Sequence, residues 1–462
     1  MAVLVRPSRH ESGHSRIERL LQNLENQLQR KFVRPTVLEG SLVESGLGLS
    51  RADRQWLSRR CASVIHSAAS VTFTSSPGSR EPWLTNVEGT RNLLELCCDI
   101  GLDDFHHVST AFVCGLRNDR ILESDLSGCQ SFKNEYERSK FDAEKLVQEF
   151  SRPRRATIYR PSIVVGEHST GRTTSFRGLY APLQLLILYA ISNRLHEFPP
   201  LDAVGLTGSE EKNLVPVDWV SRVIWHLMRC PDSAGRTFHL TNPRPTLVAR
   251  IMNALQDSLN AVHGKVGDWG APAPSQFESD SFNNTLGIYQ SYFSSDPEFD
   301  CSQTVKFAPG IRCPEMDDAT LVQMMTYAIR HRFVMPRTQP ESAVRIEEHL
   351  QSVFPDVSTT SAQANDWLQL EVSGRGGGAW QIGFLNNVPV CLDRGIDPNW
   401  DASAYCSAET FSLVVDAKVE TADAMARGAI IMQAKGRPVG ATVRLFTELQ
   451  QAIRLASSGL SR

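Results

Sequence analysis

Between Phe105 and Gly166 the chain sets out an ordered series that any fold must accommodate. Phe105-His106-His107-Val108 is a short apolar run ending in two hydroxyls, Ser109 and Thr110. Tyr136-Glu137-Arg138-Ser139-Lys140 then opens a segment, through Phe141-Asp142-Ala143-Glu144-Lys145-Leu146-Val147, that reads as helix. Ala156 to Gly166 is a second apolar run, broken by Arg160-Pro161. The series is strand, hydroxyls, Tyr-x-x-x-Lys helix, strand, Arg-Pro.

A tyrosine and a lysine four residues apart at a helix start lie on one face, one turn apart. A phenol with a pKa near 10 is a poor acid at neutral pH, and a nearby ammonium lowers that value. Such a pair can hand a proton to a carbonyl oxygen that is receiving a hydride. By itself the pentapeptide is also what a solvated helix shows by accident; the neighbouring strands and hydroxyls give it weight.

Composition excludes more than it selects. The chain has 462 residues, 41% hydrophobic and 21% charged, which describes ordinary globular protein of two domains or one large domain with an appendage. A net charge of −3 gives no reason to expect nucleic acid or an anionic membrane surface as partner. The ten cysteines lack metal-ligand spacing and read as reduced thiols of a cytoplasmic protein; no metal site is expected. The most apolar run, Leu179 to Ile191, contains Pro182 and is too short for a transmembrane segment.

With its flanking strands, the Tyr136–Lys140 helix resembles the extended short-chain dehydrogenase/reductases. The closest branch is similar to the thioester reductases and fatty acyl-CoA reductases, with their male-sterility type of NAD-binding domain. The resemblance covers residues 1–335. It implies an α/β fold, a Rossmann-like doubly wound parallel sheet, with NADPH as cofactor and an acyl thioester on coenzyme A or acyl carrier protein as substrate. It makes Tyr136 the proton donor, Lys140 the ribose ligand that lowers the Tyr136 pKa, and Thr110 the hydroxyl on the carbonyl oxygen, with Ser109 as fallback. Asn86 matches the asparagine that props the active-site water chain. Ala68 and Ala69, in Val64-Ile65-His66-Ser67-Ala68-Ala69-Ser70, match the small-residue turn over the cofactor. Ser109 and Pro161-Ser162-Ile163 also line the expected cofactor site. Arg6, with Arg9 or Arg16, stands where an acid would bind the NAD ribose, which argues for NADP.

Two positions depart from the pattern. The family begins with a strand and a Gly-x-x-Gly-x-x-Gly turn, and the sequence opens instead on Ala2-Val3-Leu4-Val5, which matches the second strand. The expectation is an internal Met1, with the first strand encoded upstream. Ser41 replaces an acid near the adenine. The run Gly374-Arg375-Gly376-Gly377-Gly378 precedes an alternating strand and reads as a hairpin turn, not a phosphate loop. Segment 171–200 resembles the substrate flap, and Asn213-Leu214-Val215-Pro216-Val217-Asp218 resembles a structural stretch closing the substrate subdomain.

Residues 336–342 read as a linker. Beyond it, 343–462 reads as helix, two period-two strands at Trp367–Val372 and Trp380–Phe384, then helix, strand and a closing amphipathic helix. This α+β order resembles a sterol-carrier-protein type 2 domain, which implies lipid binding. Two rival functions stay open: a hydroxysteroid dehydrogenase or nucleotide-sugar epimerase, and a lipid carrier whose reductase half has lost its cofactor.

Overall fold

The computed structural model describes residues 1–6, 12–72, 80–126, 130–150, 155–192, 198, 201–263, 294–331, 333, 346–354, 364–373, 378–395, 397, 400–426, 430–435 and 439–457. Arg9, the linker at 336–342 and the loop at 264–280 lie outside these residues. Contacts divide the chain into two compact units, Met1–Ser41 with Arg337–Arg462, and Leu42–Pro336.

The first unit starts with β1 (Ala2–Val5), α1 (Gly13–Leu28) and β2 (Thr36–Glu39). β1 and β2 pair in parallel, Ala2 with Thr36 through Val5 with Glu39. The Ser12 side chain accepts from Ser15 N and caps α1, so the helix begins at Gly13. Glu18 and Glu25 are buried on α1, and the Arg34 guanidinium bonds both carboxylates.

The second unit carries the expected βα series. Its helices and strands up to the Tyr-Lys segment are α2 (Arg51–Arg60), β3 (Ser63–His66), α3 (Gly89–Ile100), β4 (Asp104–Val108) and α4 (Glu135–Phe150). There follow β5 (Arg155–Pro161), β6 (Ile163–Val165), α5 (Tyr180–Ser192), β7 (Glu211–Lys212), β8 (Leu214–Pro216) and α6 (Val217–Met228). The unit closes with β9 (Thr237–Leu240), β10 (Thr246–Leu247), α7 (Val248–His263), α8 (Ser302–Phe307) and α9 (Asp318–Arg330).

A four-stranded sheet has the order β3-β4-β5-β9, parallel throughout. β5 is buried along its length, every residue from Ala156 to Pro161, with Arg160 paired to Glu144. α6 covers one face, packing Trp219, Val223 and Leu227 on Tyr159 and Phe238. Helix α5 joins α7 and α9 in a separate apolar cluster around Leu255, Met324 and Met325.

The first unit resumes with α10 (Ile346–Val353), β11 (Asp366–Ser373), β12 (Gly378–Leu385), β13 (Val388–Arg394), β14 (Ala402–Ser407), α11 (Ala408–Val415), α12 (Thr421–Ala426), β15 (Ile430–Ala434) and α13 (Val439–Ser457). β11 and β12 pair antiparallel, Val372 opposite Gly378, and the glycine-rich residues 374–377 lie outside the described residues. The five-stranded sheet has the order β13-β12-β11-β14-β15. Leu368, Ile382, Phe384, Phe411 and Phe446 fill the space between sheet and helices.

The grouping differs from a boundary near residue 335. α1 belongs with the C-terminal sheet because His14 packs its ring 4.9 Å from that of Tyr405 on β14. Burial lowers His14 to about 4, so the imidazole is neutral there.

Candidate functional site

The C-terminal ends of β3, β4 and β5 gather most of the expected site residues in the second unit. α4 is started by reciprocal capping: Asn134 Oδ1 accepts from Glu137 N at 2.9 Å, and Glu137 Oε2 accepts from Lys133 N at 3.1 Å. This fixes the first turn, which carries Tyr136. One turn later the buried Lys140 donates from Nζ to the Val108 carbonyl at 2.8 Å, which ties the helix to the end of β4.

The expected coupling of Tyr136 to Lys140 takes a different form. The Tyr136 phenol is pushed up to about 12, first by burial and then by the Glu137 carboxylate, rather than down by the lysine. Lys140 moves the other way, from 10.5 to about 8, because burial disfavours its charge more than Glu144 supports it. The sign for stability follows. The unfolded chain binds more protons than the folded one between about 8 and 10.5, so stability rises with pH across that window. Lys140→Met should abolish that rise, measured as the denaturation midpoint from pH 7.5 to 10.5; an identical rise in the variant would contradict the assignment.

Thr110 is buried at the turn after β4. Its Oγ1 accepts from Phe112 N at 3.3 Å and donates to the Pro161 carbonyl at 3.4 Å. The second bond is long and therefore weak, so the hydroxyl is easily redirected. Ser109 is committed elsewhere. Its Oγ donates to Glu144 Oε2 at 2.6 Å, and Glu144 is held by Arg160 Nη2 at 2.6 Å, both wholly buried. Ser109 thus belongs to the brace between α4 and β5.

Asn86 is a brace as well. Its Oδ1 accepts from Ser70 N at 2.7 Å, and its Nδ2 donates to Ser70 O at 3.0 Å and to Ser139 Oγ at 2.8 Å. Ser139 Oγ in turn donates to the Tyr136 carbonyl at 2.8 Å. Asn86 therefore locks the loop after β3 to the Tyr-Lys turn through protein groups. Ala68 is exposed and Ala69 half-buried on that loop, leaving its small-residue surface open. Ser162 Oγ donates to Asn213 Oδ1 at 2.7 Å, and Ile163 N to Asn213 O at 3.1 Å. Asn213 is tied onward to Asn242.

Arg6 and Arg16 lie in the first unit, where Arg16 Nη1 donates to the Arg6 carbonyl at 2.8 Å. Sequence reasoning missed Ser70, Ser139, Glu144 and the buried histidines His66 and His107. Only Ser139, inside the Tyr-x-x-x-Lys span, carried a signal; the others act through distant partners.

The likeness to known proteins bears on this geometry. Residues 1–224 match the male sterility protein family of NAD-binding domains. This male-sterility-type stretch contains Asn86, Thr110, Tyr136 and Lys140. The chain is 27% identical over 216 residues to a fatty acyl-CoA reductase, wat, of Drosophila melanogaster, covering 40% of this chain and 41% of that protein. It is 25% identical over 356 residues to a linear gramicidin synthase of Brevibacillus parabrevis, covering 71% of this chain and 6% of that protein. The chain thus spans less than half the length of either relative. Among solved structures, the terminal R domain of the myxalamid PKS-NRPS pathway superposes with a TM-score of 0.55 at 25% identity, over 72% of this chain and 84% of that one. A thiolation-reductase di-domain from an archaeal non-ribosomal peptide synthetase superposes at 0.51 with 20% identity, over 72% and 70%, a likeness of fold. The male-sterility-type region thus has a Rossmann-like α/β fold, with homologues among fatty acyl-CoA reductases and peptide-synthetase reductases. Among the described residues no helix is long and apolar enough to cross a membrane.

Proposed function

We propose that this chain is an NADPH-dependent reductase of acyl thioesters, carried on coenzyme A or an acyl carrier protein, giving an aldehyde or alcohol. The observation that carries the reading is the set of Thr110, Tyr136 and Lys140 around the ends of β4 and β5, inside a male-sterility-type NAD-binding stretch. The residues fit a nicotinamide nucleotide: a buried ammonium, a phenol on the same helix face and an open small-residue loop. When bound, the nucleotide supplies the hydride. Lys140 and Tyr136 would hold its ribose. Thr110 turns its hydroxyl from Pro161 O to the substrate carbonyl oxygen, and Tyr136 gives that oxygen its proton. A phenol at about 12 is a weak acid in the resting protein, and an oxygen gaining negative charge is the acceptor strong enough to take its proton. The test is NADPH consumption with fatty acyl-CoA and acyl-carrier-protein thioesters; no turnover with either would overturn the reading.

The choice of NADPH rests on Arg6 and Arg16 following β1. Arg6→Asp should raise the KM for NADPH roughly tenfold and leave that for NADH nearly unchanged, the loss of one charge-assisted contact. Equal use of both cofactors by the unchanged protein would count against it. The C-terminal sheet and helices support a second role in the same scheme, a sterol-carrier-like seat for the acyl chain or a sterol. Fluorescent fatty-acid and sterol probes should then be retained by the full chain at micromolar concentration, and their failure to bind would remove this role.

A further inference from the structure

One carboxylate faces two buried ammoniums beside the start of α4, and the scheme above uses none of the three groups. Asp296 Oδ1 lies 3.3 Å from Lys212 Nζ and 4.0 Å from Lys133 Nζ, and the three side chains are at most 8% exposed. Asp296 Oδ2 accepts from Asn213 N at 2.9 Å, and the Asp296 amide donates to the Glu211 carbonyl at 2.8 Å. Lys212 Nζ also donates to the Ser294 carbonyl at 2.6 Å. Lys212 and these backbone bonds therefore tie β7 to the 294–296 segment without help from Lys133.

Burying a charge is costly unless it is paired, and one carboxylate balances one ammonium. Burial holds Lys212 below the usual lysine range; Asp296 supports its charge and Lys133 opposes it. The Lys212–Asp296 pair gains nothing from a second cation. The position of Lys133 shows what it holds instead. It stands three residues before Tyr136, and its backbone N donates to Glu137 Oε2 at 3.1 Å, so it belongs to the cap that starts α4. Its Nζ lies over the Phe112 ring, 5.6 Å from the centroid, within reach of a cation–π contact. Phe112 N in turn donates to Thr110 Oγ1 at 3.3 Å. Lys133 thus touches the turn that carries Tyr136, the turn that carries Thr110 and, through Asp296, the junction of β7 with 294–296.

We propose that Lys133 is a positioning residue for the reaction: with Asp296 as its anchored counter-charge, it holds the Tyr136 turn and the Thr110 turn at a fixed spacing. The proposal rests on the roles given to Tyr136 and Thr110 in the reductase reading, but its first test does not need turnover.

In Lys133→Met, Asp296 keeps Lys212 and no charge is stranded, so the full chain should fold with a denaturation midpoint close to that of the unchanged protein. Hydrogen exchange read by mass spectrometry should show the Glu137 and Arg138 amides exchanging roughly tenfold faster, the scale on which a lost tether loosens a helix end, with β4 and β5 unchanged. Equal exchange in that turn of the two proteins would overturn the proposal. The second test is kinetic, with NADPH and a fatty acyl-CoA. Lys133→Met should lower kcat roughly a hundredfold, the cost of misplacing reacting groups by about 1 Å. The KM for NADPH should stay within about threefold, because Lys140 keeps its bond to Val108. Lys212→Met removes the other ammonium and should do the reverse, lowering the midpoint and leaving the kcat of the folded protein within about threefold. Equal kcat losses in the two variants, or a midpoint lowered as far in Lys133→Met as in Lys212→Met, would mark Lys133 as a structural cation and sink the idea. If the unchanged protein turns over no thioester, the reductase reading fails, and the exchange data still decide whether Lys133 holds the turn.

Discussion

Tyr136→Phe should lower the rate of acyl-thioester reduction by roughly 10²–10⁴ at saturating NADPH, the worth of a positioned general acid. The change removes one oxygen and keeps the ring. α4 is started by Asn134 and Glu137 and held by Lys140, Ser139 and Glu144, none of which needs the phenol oxygen. The thermal midpoint should therefore hardly move, and NADPH should still bind through Lys140. Because the phenol sits at about 12 in the resting protein, its proton is present across the whole range in which turnover can be measured. The loss in the variant should accordingly be the same at pH 6 and pH 9. A rate within about threefold of the unchanged protein, the range of an ordinary surface substitution, would rule out Tyr136 as the donor.

Glu144→Ala should be the most destabilising single change among the residues around the site, at about 3–5 kcal/mol. Glu144 and Arg160 have no exposed side-chain surface, and the guanidinium reaches both carboxylate oxygens through Nε and Nη2. Removing the acid strands the Arg160 charge, whose remaining contacts are the Glu123 carbonyl and His239 Nε2, each at 3.3 Å. It also takes away the acceptor of the Ser109 hydroxyl. The double change Glu144→Leu with Arg160→Met removes both charges and should recover most of the stability, as apolar replacements of buried pairs do. Denaturant midpoints of the three proteins check this. A loss below about 1 kcal/mol for Glu144→Ala would show that the pair does not hold α4 on β5.

The two experiments separate chemistry from framework. Tyr136 is asked to affect rate alone, and Glu144 stability first, with rate following because α4 carries both Tyr136 and Lys140. Asn86 stands between the two: it touches the Tyr-Lys turn through Ser139 and fixes the loop after β3 on the other side.

The sequence by itself determined the local elements and the residues with chemistry of their own. Apolar runs bounded by hydroxyls, Pro and Gly placed β1, β4, β5, β11 and β12 to within a few residues, because strand formation depends on neighbours close along the chain. The Tyr-x-x-x-Lys spacing placed both groups on one helix face for the same reason. Tertiary structure decided what those groups face. Lys140 donates to Val108, 32 residues away, and burial moved Lys140 down and Tyr136 up, against the expected direction for the phenol. Ser109 and Thr110 are adjacent and chemically alike, and only the Glu144–Arg160 pair and the Pro161 carbonyl separate their roles. The grouping of α1 with the C-terminal sheet joins residues such as His14 and Tyr405 that are hundreds of positions apart. Desolvation and long-range hydrogen bonds depend on atoms brought together by folding, and a local pattern of residues carries no record of them.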